Sequence, residues 1–159
     1  MSEHLKRRLK QSKFTSPYQE AILGVMVCAD RLTREMDITC ETHGITTAQY
    51  NVLRILRGVH PGGHPRCEII QRMIHVAPDV TRLIDRLEKL SLVKRVKSAE
   101  DLRLSLTVIS PKGLELLNAM QSEVDALEVS FSSLISEKEA VVLAEICDKV
   151  TSHYQADAR

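Results

Sequence analysis

The sequence predicts a mainly helical protein that carries one two-stranded β ribbon. Helix-start signals recur along the chain, and one stretch near the middle alternates apolar and polar residues as a strand does. Aromatic residues are few, with no Trp, three Tyr and two Phe, so a sheet that stacks nucleobases is excluded. The length of 159 residues suits one domain, or one core plus elements shared with a partner subunit.

Two capping boxes open the first helices. Ser16-Pro17-Tyr18-Gln19 places Ser at the cap, Pro at the first helical position and Gln where its amide can reach back to the cap. This pattern predicts a long helix to about Cys40. Thr46-Thr47-Ala48-Gln49 repeats the pattern and predicts a second helix to about Arg57.

A turn and two further helices follow. The stretch "HPGGHP", residues 60–65, predicts a turn because two prolines flank two glycines. A short helix from Arg66 to Ile74 comes next, and Pro78 begins another, with Asp79 in its first turn. That helix has a core-facing stripe of apolar residues: Val80, Leu83, Ile84, Leu87 and Leu90. Its opposite face is polar and carries Thr81, Arg82, Asp85, Arg86 and Lys89.

The ribbon is predicted where the period changes from helical to alternating. Val93 to Lys97 forms its first strand, Ser98-Ala99-Glu100-Asp101 its tip, and residues 102–108 its second strand. In that second strand Leu102, Leu104, Leu106 and Val108 would face one way and Arg103, Ser105 and Thr107 the other. Two more helices are predicted, from Pro111 to about Leu134 and, after the capping box at Ser136, through Val150.

This order of elements predicts a winged helix-turn-helix flanked by terminal helices. Residues 1–13 are interpreted as a basic N-terminal tail, and residues 46–110 as the winged helix-turn-helix. Residues 14–45 and 111–155 are more apolar than one exposed layer needs, so we expect them to form a homodimer. The winged segment is then the DNA-binding domain.

Charge is distributed unevenly despite a net charge of +1. Residues 66–103 hold nine Lys and Arg against six Asp and Glu, whereas residues 104–159 hold four against nine. A basic middle segment on a helix and ribbon favours duplex DNA as the partner. The candidate DNA-binding residues are Thr81, Arg82, Asp85, Arg86, Lys94, Lys97, Asp101 and Arg103. Asp85 is repelled by phosphate, so we expect it to orient Arg82 or Arg103 by a charge-assisted hydrogen bond.

Three stretches carry a family resemblance: "TTAQYNVLRIL", "VTRLIDRLEKLSLVKR" and "EDLRLSLTVISPKG". They resemble, in order and spacing, the second helix, recognition helix and wing of the MarR (multiple antibiotic resistance regulator) family. The likeness covers roughly residues 17–150, and Asp101-x-Arg103 is its most specific part. It implies a homodimer on a pseudo-palindromic operator, usually a repressor relieved by a small ligand or by oxidation, with no catalysis. It names neither the effector nor the ligand-binding residues. Independently of the resemblance, we expect a cytoplasmic protein, because the apolar run Ala21 to Ala29 lies inside a longer helical pattern and does not indicate a secretory signal. No cofactor is expected.

The chain departs from the family pattern at three positions. Ser91 stands where glycine is common after the recognition helix, and requires either a left-handed backbone or a different helix end. Ala77 replaces a usual hydroxyl cap. Leu102 replaces a frequent arginine at the wing tip. These departures point to a lower affinity or a different DNA site, while Arg103 keeps the main wing role.

The cysteines and histidines raise alternatives. Cys67, in the first turn of a helix beside Arg66, is the candidate for a thiol-based switch, although peroxide-sensing relatives carry their cysteine near the start of the first helix. The spacing of Cys40, Glu41, His43 and the other histidines fits no closed metal site. A small thiol or metal enzyme would pair Cys67 with His64 or His75, but lacks an acid to orient the base. A protein-interaction module is the remaining alternative.

Overall fold

The structure, a computed structural model, describes residues 2–75, 79–99 and 101–156, the last three of these by backbone alone. These residues form seven helices and three short strands in the order α1 (Glu3–Leu9), α2 (Pro17–Thr42), α3 (Thr47–Arg57), β1 (His64–Pro65), α4 (Arg66–Arg72), α5 (Val80–Lys89), β2 (Val93–Lys97), β3 (Ser105–Ile109), α6 (Pro111–Ser132) and α7 (Glu137–Ala156). The chain divides into two compact units, residues 1–120 and 121–159. The predicted fold class, a mainly helical winged helix-turn-helix, is confirmed.

The predicted caps begin the helices. The Ser16 side chain accepts a hydrogen bond from the Gln19 N–H at 3.1 Å, with Pro17 at the first helical position. At α3 the box is reciprocal, because Thr46 Oγ1 accepts from the Gln49 N–H at 3.2 Å and Gln49 Oε1 accepts from the Thr46 N–H at 2.9 Å. Each bond satisfies a backbone donor that has no partner within its helix.

The small sheet has three strands, not the two that the sequence predicts. Its order is β1-β3-β2, antiparallel throughout. The additional strand comes from the end of the predicted turn, where His64 and Pro65 pair with Thr107 and Leu106. Gly63 makes this approach possible, because a Cβ there would lie 2.4 Å from the Thr107 carbonyl oxygen. Because β1 lies against β3 at this position, Thr107, which the sequence predicts on the outward face, is only 3% exposed.

The second wing strand is shorter than predicted. It begins at Ser105, and residues 98–99 and 101–104 belong to a loop in which Leu102 is 70% exposed. Glu100, placed at the predicted tip, lies outside the described residues. Because the loop is longer, the predicted alternation of Leu102 and Leu104 with polar neighbours does not place these two leucines in the core.

The core of the first unit lies between helices α3, α4 and α5 and the sheet. Its fully buried side chains include Leu53, Leu56, Ile69, Ile84, Leu87 and Ile109. Helix α4 ends at Arg72, two residues earlier than predicted, so Ile74 lies past its end and is exposed. Leu90, predicted in the core stripe of α5, caps the end of that helix and is 40% exposed.

The basic segment 1–13 contains a helix that the sequence analysis did not predict. Leu5 of α1 is buried against Gly24 of α2. A Cβ added to Gly24 would lie 3.9 Å from Leu5 Cδ2. Arg8 forms an ion pair with Asp30 of α2 at 3.0 Å. The Ser2 N–H also donates to Glu20 Oε1 at 2.9 Å, so an apolar contact, an exposed ion pair and a hydrogen bond join this segment to α2.

The second unit contains α7, which extends past the predicted end at Val150. Its capping box forms as predicted, with the Ser136 N–H donating to Glu139 Oε2 at 2.8 Å. These hydrogen bonds from Ser136 lower the pKa of Glu139. In the part of the chain that the structure describes, no helix is long and apolar enough to cross a membrane.

Candidate nucleic-acid interface

Helix α5 exposes a polar face because its opposite face is buried. Asp79 caps the helix, its side chain accepting from the Arg82 N–H at 3.0 Å. Asp79 is thus the cap rather than a first-turn residue, while Ala77 and Pro78 lie outside the described residues. The predicted contact residues Thr81, Arg82 and Arg86 are all exposed. This exposed face of α5 is the first part of the candidate nucleic-acid interface.

The partners of the charged residues on α5 differ from the prediction. Arg82 Nε forms its ion pair with Asp79 Oδ2 at 3.1 Å, and the Arg82 side chain retains 80% exposure. Asp85, expected to orient Arg82 or Arg103, instead pairs with Arg95 of strand β2. The prediction was wrong because β2 passes beside α5, a proximity that local sequence does not reveal. The ion pair of the Arg82 guanidinium is therefore largely exposed.

Arg95 joins the two acidic residues of α5 to the wing. Its Nη2 lies 2.5 Å from Asp85 Oδ1, and its Nη1 lies 2.6 Å from Glu88 Oε2. The hydrogen bond that Arg95 donates to Asp85, together with the charge of Glu88, raises the pKa of Arg95 above its ordinary value. Sequence reasoning did not select Arg95, since nothing in "VKRVK" distinguishes it from its basic neighbours.

The wing presents its other cations on strand β2 and on the following loop. Lys94 and Lys97 are exposed in β2, and the alternation of a strand places them on opposite faces. Arg103 is exposed on the loop, where its backbone N–H donates to Asp101 Oδ1 at 2.9 Å. Asp101 therefore shapes the loop that carries Arg103. The candidate residues thus lie on a helix and on the wing, the two elements to which the sequence assigned them, although Arg103 is on a loop rather than on a strand.

Arg66, the first residue of α4, is a further cation near the start of α5 that sequence reasoning missed as a site residue. Its Nη1 donates to Thr81 Oγ1 at 2.8 Å, across the gap between α4 and α5. Both side chains are exposed. In the sequence Arg66 was considered only as the basic neighbour of Cys67. Its contact with Thr81 depends on how α4 and α5 pack.

The turn after α5 connects the helix to the wing and to α6. Ser91 has φ 61°, the left-handed backbone conformation that glycine adopts easily. For serine this conformation costs about 1 kcal/mol. Its carbonyl accepts from Ser110 Oγ at 2.7 Å, and the Leu90 carbonyl accepts from Lys112 Nζ at 2.9 Å. These bonds hold the end of α5 against the start of α6.

A cavity of about 380 Å³ lies beside this turn, within the first unit. Apolar side chains form most of its wall, among them Ile45, Leu90, Leu92 and Leu116. His43, Lys112 and Glu115 supply polar groups. An apolar cavity with a few polar groups has the chemistry of a small-molecule site.

The cysteines differ in access. Cys40 is fully buried, and burial raises the pKa of its thiol, which disfavours the reactive thiolate. Cys67 is exposed in the first turn of α4, and its redox role stays a prediction. Across residues 2–75, 79–99 and 101–156, no three His, Cys, Asp or Glu side chains come together as metal ligands would.

The fold and the exposed cations of α5 and the wing define a winged helix-turn-helix regulator of transcription. No family model matches the chain. The HTH-type transcriptional regulator MhqR of Bacillus subtilis (strain 168) is 29% identical over 108 residues, which are 68% of this chain and 73% of MhqR.

Solved structures extend this similarity to nearly the whole chain. A MarR transcription factor from Planctomyces limnophilus is 32% identical, with 86% of this chain and 98% of that chain covered and a TM-score of 0.64. The S. aureus MepR-DNA complex is 26% identical, with 89% and 99% covered and a TM-score of 0.73. The chain belongs to the MarR family, and the resemblance found in the sequence is confirmed. It is a transcription regulator and not an enzyme.

Proposed function

We propose that this protein is a homodimer that binds duplex DNA sequence-specifically and represses transcription until a small ligand binds. One observation carries the proposal: Arg82 and Arg86 are exposed on α5, directly beside a wing that bears further cations. The structure of MepR with DNA supports the choice of partner, since that relative shares the fold over 89% of this chain.

Each side chain has a defined task in this proposal. Helix α5 enters the major groove, where the planar fork of Arg82 can donate two hydrogen bonds to a guanine edge. Thr81 lies at the helix start, where it can contact a base or phosphate, and Arg86 follows one turn later. The wing cations Lys94, Lys97 and Arg103 contact backbone or minor groove, and Asp101 keeps the Arg103 loop in shape.

Exposed apolar side chains on two long helices support dimerisation. In α2 they are Ile22, Val25, Met26, Leu32 and Ile38, and in α7 they are Val141, Val142, Ile146 and Val150. Exposed apolar side chains of this kind on each helix are characteristic of an interface, and a two-fold dimer would read a pseudo-palindromic operator. We expect Met26→Glu to yield monomers in sedimentation velocity, because Met26 is 62% exposed in the single chain. A dimer of unchanged mass would count against this interface.

The cavity beside Leu90 and Lys112 supports relief by a small ligand. Leu90 caps the end of α5, and Lys112 of α6 donates to the Leu90 carbonyl, so a ligand there touches the support of the DNA-contacting helix. A ligand that binds more tightly to an arrangement unsuited to DNA lowers the DNA-bound fraction. Transcription in vitro from the gene's upstream region tests repression directly, because added protein should lower the transcript yield.

A footprint on the gene's own upstream region tests the DNA-binding proposal. The wild-type protein should protect a symmetric site, and protection should weaken steeply as salt rises. Arg82→Ala combined with Arg103→Ala should abolish it. Arg31→Ala combined with Arg34→Ala removes two arginines from α2 instead and should leave it intact. If the wild-type protein protects nothing even at low salt, the proposal fails.

A further inference from the structure

Arg95 occupies the junction between the DNA-contacting helix and the wing. Besides its two side-chain bonds, its backbone N–H donates to Glu88 Oε1 at 3.3 Å. Strand β2 is the edge of the sheet, so this bond gives an edge donor a partner. Glu88 thus holds both the main chain and the side chain of one wing residue, while Asp85 holds the second arm of the guanidinium.

The Arg95 contacts decide which residues of α5 remain available to DNA. Asp85 lies three positions after Arg82 and four before Lys89, the spacings at which charged side chains pair along a helix. Its observed partner is Arg95, across the gap to β2. Arg95 therefore draws the Asp85 carboxylate away from the helical cations.

Arg95 is not placed to bind DNA in the way its basic neighbours are. Both terminal nitrogens of its guanidinium face carboxylates, and its side chain is 35% exposed. Lys94 is exposed, with no carboxylate contacting its ammonium group among the described residues. A planar guanidinium can hold two carboxylates at once, whereas a lysine ammonium in its place would be a single point charge.

We infer that Arg95 is a positioning residue for DNA recognition: it fixes the wing strand to α5 and keeps Asp85 and Glu88 away from the cations that read the groove. This inference rests on the proposed function. It predicts that Arg95 governs sequence preference, because preference requires helix and wing to be aligned together. A residue that only contacts phosphate changes affinity for all sequences alike.

The test compares two duplexes: one that the wild-type protein selects from a random-sequence pool, and a scrambled duplex of equal length and composition. Affinities for both are measured for Arg95→Gln, Arg95→Lys, and Asp85→Asn combined with Glu88→Gln. Lys94→Gln is the matched control, since it removes one charge from the same strand without touching the carboxylates.

Arg95→Gln and the Asp85→Asn, Glu88→Gln double variant should each reduce the preference for the selected duplex by about tenfold, the effect of losing one well-placed base contact. Arg95→Lys should retain an intermediate preference, because it keeps the charge but loses the two-armed geometry. Lys94→Gln should weaken binding to both duplexes equally and leave the preference unchanged.

The inference is overturned if Arg95→Gln behaves like Lys94→Gln and the double variant binds both duplexes more tightly with its preference intact. That result would make Arg95 a phosphate contact and the carboxylates mere repulsive charges. If Arg95→Gln does not fold, the double variant decides, since it leaves Arg95 in place. A wild-type protein that selects no duplex overturns the proposed function itself, whatever Arg95 does.

Discussion

Replacing Gly113 with alanine sets two opposing effects against each other. Gly113 is the third residue of α6, where alanine favours the helix by about 0.5 to 1 kcal/mol. It is also buried, and a Cβ there would lie 2.3 Å from the Leu92 carbonyl oxygen and 2.8 Å from Ile109 Cγ1. That oxygen accepts the Ser110 N–H at 3.0 Å. It would have to move by about 1 Å to reach ordinary contact, which strains the hydrogen bond.

Overpacking of a well-packed core costs about 1 to 3 kcal/mol, more than the helix gains. We therefore expect Gly113→Ala to lower the free energy of unfolding by about 1 to 2 kcal/mol. Gly24→Ala is the matched control, because Gly24 also lies in a helix but its added Cβ meets only Leu5 Cδ2 at 3.9 Å. That variant should gain about 0.5 to 1 kcal/mol.

Urea denaturation followed by circular dichroism measures both variants at one subunit concentration, because dimer stability depends on concentration. The expected order of midpoints is Gly113→Ala, wild type, Gly24→Ala. A midpoint for Gly113→Ala above that of the wild type would refute the packing argument and leave helix propensity as the controlling effect.

Three further predictions concern the interface and the thiols. Arg82→Ala should cost about 1 to 3 kcal/mol of DNA-binding free energy and relax the sequence preference at one base pair, which titration of operators with single base-pair substitutions measures. An equal loss of affinity on every sequence would show that Arg82 contacts phosphate instead. Ser91→Gly should raise the urea midpoint by the equivalent of about 1 kcal/mol, because glycine adopts φ 61° without strain; an unchanged midpoint would mean that Ser91 bears no such cost. Iodoacetamide at pH 8 should label the exposed Cys67 and spare Cys40, because burial raises the pKa of the Cys40 thiol. Peptide mass spectrometry measures the labelling, and equally fast labelling of Cys40 would contradict its burial.

Local signals in the sequence located most of the helices and the first wing strand. The starts of α2 and α3 follow from Ser16 and Thr46, because a cap is an interaction within four residues. Strand β2 has the predicted limits, Val93 and Lys97. At Ser91 the local rule left two alternatives, a left-handed backbone or a different helix end, and the structure has the left-handed backbone.

The sequence by itself determined the starts of α2, α3 and α7, the buried stripe of α5 apart from Leu90, and the exposure of Thr81, Arg82 and Arg86, because each depends on contacts a few residues apart. Only the tertiary structure decided that Asp85 faces Arg95, that Arg66 reaches Thr81, and that Thr107 is covered by β1. Those outcomes depend on which segments lie side by side. Side-chain pairing across elements is set by the packing of the whole core, and no spacing along the chain encodes it.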